Sequence, residues 1–212
     1  MNPLHMISAG LRYPDAGVLE ARTSIASAAG ALPPSPAADA LRRFTGWWAA
    51  RPGEDLQREY VATFDFSRRT CLDLTYCSYG DRRQRGLALV ALRRRYADRG
   101  MDLDGEELPD HLPVMCEYAA EVPGDGIALL CEFRPAIELI GLSLHDAGSS
   151  YAHLITALTA LLPALTQAER DEVRRLALEG PPTESVGLEP FAPPEVMPEP
   201  RRPACAPGRS IA

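Results

Sequence analysis

The sequence predicts an all-α protein: a single-domain antiparallel helical bundle over residues 1–180, followed by a proline-rich tail over 181–212. Three observations predict it. Helix start and stop signals recur along the chain, apolar residues return at intervals of three and four, and no convincing period-two strand pattern is present. With 212 residues one folded unit is expected, since a domain near this size buries roughly 70% of the surface its unfolded chain exposes.

Ser35 followed by Pro36 reads as an N-cap with proline at the first helical position, and Leu41, Phe44 and Trp47 or Trp48 then share a face, so a helix is expected over 36–50. Leu56, Tyr60 and Phe64 stack four apart on a second helix ending near Asp65. Residues 66–80 give no clear signal. Asp81 to Arg99 carries seven arginines around an apolar stripe of Leu87, Val90, Ala91 and Ala97, and Gly100 stands where a C-cap glycine belongs. The charge then reverses, with eight acidic residues and no arginine between Asp102 and Asp125.

Asp110 is placed to cap a helix over 111–122, where Pro113 is tolerated in the first turn because that amide has no intrahelical partner. Leu130, Phe133, Ile137, Ile140 and Leu144 predict one core-facing helix over 127–145, kinked at Pro135. Leu154, Leu158, Leu161 and Leu165 repeat the pattern, and Thr166 with Glu169 forms a capping box opening a last helix that Gly180 closes. Beyond it, Pro181 to Pro207 holds nine of the 20 prolines and one aromatic, Phe191, a composition that predicts a flexible tail.

The net charge of −7 argues against nonspecific nucleic-acid binding, because no positive field replaces phosphate counterions. Leu154 to Leu165, the longest apolar stretch, is broken by Pro163 and falls short of the ~20 residues a membrane span needs, so no direct membrane insertion is expected. The N-terminus lacks the charged and apolar regions of a secretory signal. Cys71, Cys77, Cys116, Cys131 and Cys205 form no CxxC pair and lie mostly in apolar helical patterns, which predicts reduced thiols and a cytoplasmic location.

Motifs for chemistry are sparse. The chain has no glycine-rich phosphate loop, no GxSxG and no HExxH, and its cysteine spacings do not resemble a zinc site. No cofactor, metal or catalytic residue is expected, and the chain reads as a binding protein rather than an enzyme. Arg68 and Arg69, or Arg93 to Arg95, could hold a phosphate through guanidinium forks, although such runs are more often a solvated face. His111, between Asp110 and Leu112, reads most simply as a helix-start residue bonded to a neighbouring carboxylate.

Two stretches are more specific: Tyr60-Val-Ala-Thr-Phe-Asp-Phe-Ser-Arg-Arg-Thr and Glu107-Leu-Pro-Asp-His-Leu-Pro-Val-Met-Cys-Glu-Tyr. They resemble the molybdoenzyme assembly chaperones of the NarJ type, and the resemblance runs through Leu72-Asp-Leu-Thr-Tyr and covers roughly residues 4–180. It implies the all-α fold shared with TorD and DmsD chaperones, and a task rather than a reaction: binding the α (catalytic) subunit of respiratory nitrate reductase, including its N-terminal peptide, until the molybdenum cofactor is inserted. It also implies that the stretch Leu108 to Leu112 is a hinge beside a peptide groove. The expected client-binding residues are Tyr60, Phe64, Arg68, Glu107, Leu108, Asp110, His111, Leu112 and Met115, with the apolar face of a client helix against Tyr60, Phe64, Leu112 and Met115. His111 beside Asp110 would make release pH-dependent. Cys71, Asp73 and Cys77 depart from the family pattern, which leaves open a client other than nitrate reductase, such as a molybdoenzyme with a twin-arginine signal. A metal- or nucleotide-dependent enzyme is the competing class. Oligomeric state is open.

Overall fold

The computed structural model describes residues 1–79, 83–103 and 107–179. Among these, all regular structure is helical apart from one isolated antiparallel bridge between Asp73 and His111. The expected tail over 181–212, with Gly180, lies outside the described residues.

Two helices precede the first one predicted. In α1 (Pro3–Leu11) the Asn2 side chain accepts from the Leu4 N–H at 2.9 Å, and in α2 (Ala16–Gly30) Asp15 does the same for Val18 at 2.9 Å. Sequence periodicity does not reveal either, for opposite reasons. α1 runs through the middle of the bundle and buries Leu4, Met6, Ile7, Ser8, Gly10 and Leu11, so it has no polar face to alternate with. α2 is rich in alanine and glycine and buries only Ile25 and Ala29.

α3 (Pro36–Ala49) starts at the Ser35 cap as expected and buries Leu41, Phe44 and Trp48. α4 (Gly53–Phe64) buries Leu56, Tyr60 and Phe64. The segment without a clear signal contains a short helix, α5 (Leu74–Tyr79). α6 (Arg83–Ala97) ends at Gly100, whose φ of +78° is the left-handed conformation a C-cap glycine supplies.

The predicted stripe on α6 is turned the wrong way. Leu92 and Tyr96 enter the core at 7% and 0% exposure, whereas Leu87 and Val90 are 72% and 68% exposed. Polar bonds choose the face: Arg95 reaches Asp125 at 2.7 Å and Glu132 at 2.8 Å, and the Tyr96 hydroxyl donates to the Pro109 carbonyl at 2.6 Å.

α7 (Leu112–Glu121) is followed by α8 (Pro123–Glu132) and α9 (Arg134–Asp146). The single helix expected over 127–145 is therefore two. Phe133 leaves the helical region, and Pro135 sits in the first turn of α9, where its missing N–H costs nothing. α10 (Ala152–Leu161) ends before Pro163, and α11 (Gln167–Glu179) opens on the predicted box, with Glu169 accepting from the Thr166 N–H at 2.6 Å. α10 packs against α3, α9 and α1, and α1 also packs on α7. Two close approaches set the bundle's tightness. A Cβ at Gly10 would stand 2.8 Å from Phe44 and Leu154 atoms, and one at Gly126 would stand 2.2 Å from the Ala119 Cα.

Candidate functional site

The second of the two motif stretches meets the segment 72–76, through backbone as well as side chains. The Leu74 N–H donates to the Asp110 carbonyl at 3.0 Å and the Leu112 N–H to the Leu72 carbonyl at 2.9 Å, which ties 72–75 to 108–112. Asp110 is fully buried and does not cap its own helix. The N-cap of α7 is His111, and the Asp110 Oδ2 instead accepts from the Thr75 N–H at 3.1 Å and its hydroxyl at 2.5 Å, capping α5 across the junction. The other carboxylate oxygen, Oδ1, is buried without a partner.

His111 bonds a carboxylate as expected, but it is that of Asp73, with Nδ1 to Oδ1 at 2.9 Å, rather than Asp110. Arg85 closes the cluster, 2.9 Å from Asp73, 3.6 Å from Asp110 and 3.2 Å from the Thr75 hydroxyl. Burial pushes the Asp110 carboxyl above its ordinary range and the charge of Asp73 adds to this, against the Thr75 bond and Arg85. Burial acts on Asp73 in the same sense, but the His111 bond and charge and the Arg85 guanidinium outweigh it and hold that carboxyl low. One carboxylate is stabilised as an anion and its neighbour is not.

Tyr60, Phe64, Leu112 and Met115 are all buried, at 8%, 7%, 0% and 0% exposure. The fold places all four, expected to meet a client's apolar face, inside the core. Tyr60 and Phe64 belong to an aromatic cluster with Tyr151, Phe44 and Tyr13, and the Tyr60 hydroxyl donates to the Leu11 carbonyl at 3.0 Å. They support the surface above them.

That surface is built from residues outside the expected client-binding set, some of them within the first motif stretch. Phe66 and Tyr13 are 82% and 46% exposed and border a groove of about 570 Å³, with Val61, Ala62 and Gln57 of α4 along it. Ala62 also borders a second depression of about 460 Å³ that reaches the α9–α10 turn, so the two run on along α4. Arg12, next to Tyr13, pairs with Glu107 at 3.2 Å and Glu117 at 3.0 Å, which brings the acidic stretch to the groove's end. Arg68 and Leu108 are exposed and His111 is partly exposed. Among the described residues no three His, Cys, Asp or Glu side chains converge on a metal position.

Comparison with known proteins bears on what such a surface serves. The family described as nitrate reductase delta subunit matches residues 31–168. The nitrate reductase molybdenum cofactor assembly chaperone NarJ of Escherichia coli (strain K12) is 34% identical over 176 residues, covering 82% of this chain and 74% of the relative. The chain belongs to the nitrate reductase delta subunit family. A probable NarJ of Bacillus subtilis (strain 168) is 34% identical over 110 residues, 51% of this chain and 60% of its own. The nitrate reductase-like protein NarX of Mycobacterium tuberculosis is 37% identical over 123 residues, 58% of this chain but 19% of its own length.

The family match takes in the whole polar junction of Asp73, Thr75, Arg85, Asp110 and His111, and leaves out α1, α2, most of α11 and the tail. The delta-subunit resemblance read from two motifs is therefore shown, with its all-α fold. Nothing in one sequence distinguishes Arg85 from the other arginines of α6, and Tyr13 lies in a stretch with no motif; only folding brings them here.

Proposed function

We propose that this chain is a cytoplasmic assembly chaperone that binds the α subunit of a respiratory nitrate reductase, including its N-terminal segment, and keeps it competent for molybdenum cofactor insertion and membrane assembly. The observation that carries the reading is identity of 34% to an assembly chaperone across 82% of the chain. No described helix is long and apolar enough to cross a membrane, and the four described cysteines are free thiols.

The mechanism is helix-in-groove recognition. The apolar face of the client segment lies along Tyr13, Val61 and Phe66, with Leu108 and Arg68 beside it and Glu107 offering charge to a basic client end. Tyr60, in edge contact with Tyr13, and Phe64 behind it hold that surface from beneath. Asp110 and His111 act by position, since their bonds to Thr75 and Asp73 fix where Glu107 and Leu108 stand. Ordering a free peptide costs about 2–5 kcal/mol, which keeps affinity moderate and release feasible.

Calorimetry with a synthetic peptide of the α-subunit N-terminus tests this. Binding is expected, and the Tyr13→Ser, Phe66→Ser double variant is expected to weaken it about tenfold or more, the equivalent of about 1.4 kcal/mol. Unchanged affinity in that variant removes the groove. Absence of binding by the unaltered chain removes the client.

A further inference from the structure

α6 carries a face that the fold leaves uncovered. Leu87, Val90, Ala91, Arg94 and Ala97 recur at three and four and so share one side of the helix, opposite the one that buries Leu92 and Tyr96. Leu87 and Val90 are 72% and 68% exposed. Arg93 and Arg94 are exposed beside them and make no ion pair among the described residues. Next to this stripe Ala91, Arg94, Arg95, Asp98, Arg99 and Asp125 border a depression of about 510 Å³. Its three guanidinium groups against two carboxylates leave it net positive. Asp125 takes Arg95 at 2.7 Å and Arg99 at 3.3 Å, so the Arg94 guanidinium stays available to an anion from outside the chain. Scattered exposed leucines need no explanation; aliphatic tips set among unengaged guanidinium groups, next to an arginine-lined depression, suit a partner that presents anionic oxygens and hydrocarbon together.

We propose that the uncovered face of α6 docks this protein on an anionic phospholipid surface, with Arg93 and Arg94 on headgroup phosphates and Leu87 and Val90 reaching the apolar boundary beneath. A basic amphipathic helix lying in the plane of the interface makes this kind of contact, its arginine stems along hydrocarbon and their charged ends among the headgroups. The shape of the face favours lipid over a protein helix. Exposure as high as that of Leu87 and Val90 means that each side chain stands clear of its neighbours, and Ala91 and Ala97 between and beyond them offer a partner helix little area to pack on. A bilayer interface takes projecting side chains singly. Charge sets the orientation. Residues 81–99 hold seven arginines against Asp81 and Asp98, in a chain whose net charge is −7. Screening confines such fields to about 8 Å at physiological ionic strength, so this helix is drawn to an anionic surface at contact while the acidic remainder is turned away from it. The contact is peripheral and reversible, since two aliphatic side chains and a few arginines fall well short of an anchor. It stands apart from the chaperone reading, because none of these residues borders the groove along α4.

Flotation of the full chain with lipid vesicles tests it. Vesicles of phosphatidylglycerol and phosphatidylcholine in equal parts are expected to carry the chain at low salt, vesicles of phosphatidylcholine alone about tenfold less, and added salt is expected to release it. Leu87→Ser with Val90→Ser, and separately Arg93→Gln with Arg94→Gln, are each expected to lower the bound fraction about threefold or more. All four side chains are exposed, so both variants should keep the fold, which circular dichroism checks. Phe66→Ser, at the exposed aromatic of the α4 groove, is expected to float as the unaltered chain does. Absence of flotation, equal flotation with phosphatidylcholine alone, an unchanged bound fraction in either pair of substitutions, or a loss that follows Phe66 instead each overturns the proposal. So does a chain that ignores vesicles but binds a synthetic acidic amphipathic peptide through Arg93 and Arg94, which would give this face to a protein partner.

Discussion

Replacing Asp110 by alanine probes the junction where the segment 72–75 meets 108–112. Its Oδ2 accepts two hydrogen bonds from Thr75, which is itself fully buried, so neither donor finds water when the carboxylate is removed. Hydrogen bonds to a charged group contribute about 1.5–3 kcal/mol each, or about 3–6 for the pair. Against that, the change also removes Oδ1, a buried oxygen without a partner, whose desolvation costs about 1–3 kcal/mol. The difference spans about 0–5 kcal/mol with a midpoint of about 2.5, or roughly 5–10 °C in Tm at that midpoint for a domain of this size. Urea unfolding followed by far-UV circular dichroism measures it, with an unchanged m value showing that the variant starts from the same fold. Asp110→Asn keeps an acceptor for Thr75 and is expected to lose about 1 kcal/mol. If Asp110→Ala loses less than about 1 kcal/mol, or if Asn is worse than Ala, the cross-junction cap is not what holds these segments.

The same cluster has a pH signature. Asp73 is held low in the folded state, so it contributes stability that is present above its unfolded value of about 4 and is lost as pH falls through the folded one. Asp110 is raised, so stability should fall as pH rises from about 4 through its folded value. The acid-side decline in stability should therefore become shallower in Asp73→Asn, with Asp125, also held low by Arg95, keeping the rest, and the decline with rising pH should become shallower in Asp110→Asn. Gly126→Ala places a Cβ 2.2 Å from the Ala119 Cα and should cost about 3 kcal/mol or more by denaturation, whereas Gly124→Ala meets nothing within 4 Å and should fall within about 1 kcal/mol on the stabilising side. Leu92→Ala should cost about 2–4 kcal/mol and Leu87→Ala less than about 0.5, which checks the facing of α6 in the same assay.

The contrast within α6 shows what one sequence can and cannot say. Periodicity found a stripe at Leu87, Val90 and Ala91, yet a second one at Leu92 and Tyr96 was available, and hydrophobicity alone could not choose between them. Partners from elsewhere in the chain made the choice: Asp125 and Glu132 for Arg95, and the Pro109 carbonyl for Tyr96. The candidate site repeats this at larger scale. Both motif stretches were legible, as was His111 bonding a carboxylate, but Tyr60, Phe64, Leu112 and Met115 are buried in the core, whereas Tyr13 and Phe66 are exposed.

Local signals settled what is local. The Ser35 cap and the Thr166–Glu169 box opened helices where they stood, and Gly100 closed one, because each satisfies backbone groups within a few residues of itself. The family was likewise written in short runs of residues. Tertiary structure alone decided which carboxylate His111 meets, that Asp110 caps a helix 35 residues away in sequence, and which of two stripes on α6 faces water. Each of these depends on contacts whose partners are far apart along the chain, and a spacing pattern carries no information about a neighbour that only folding supplies.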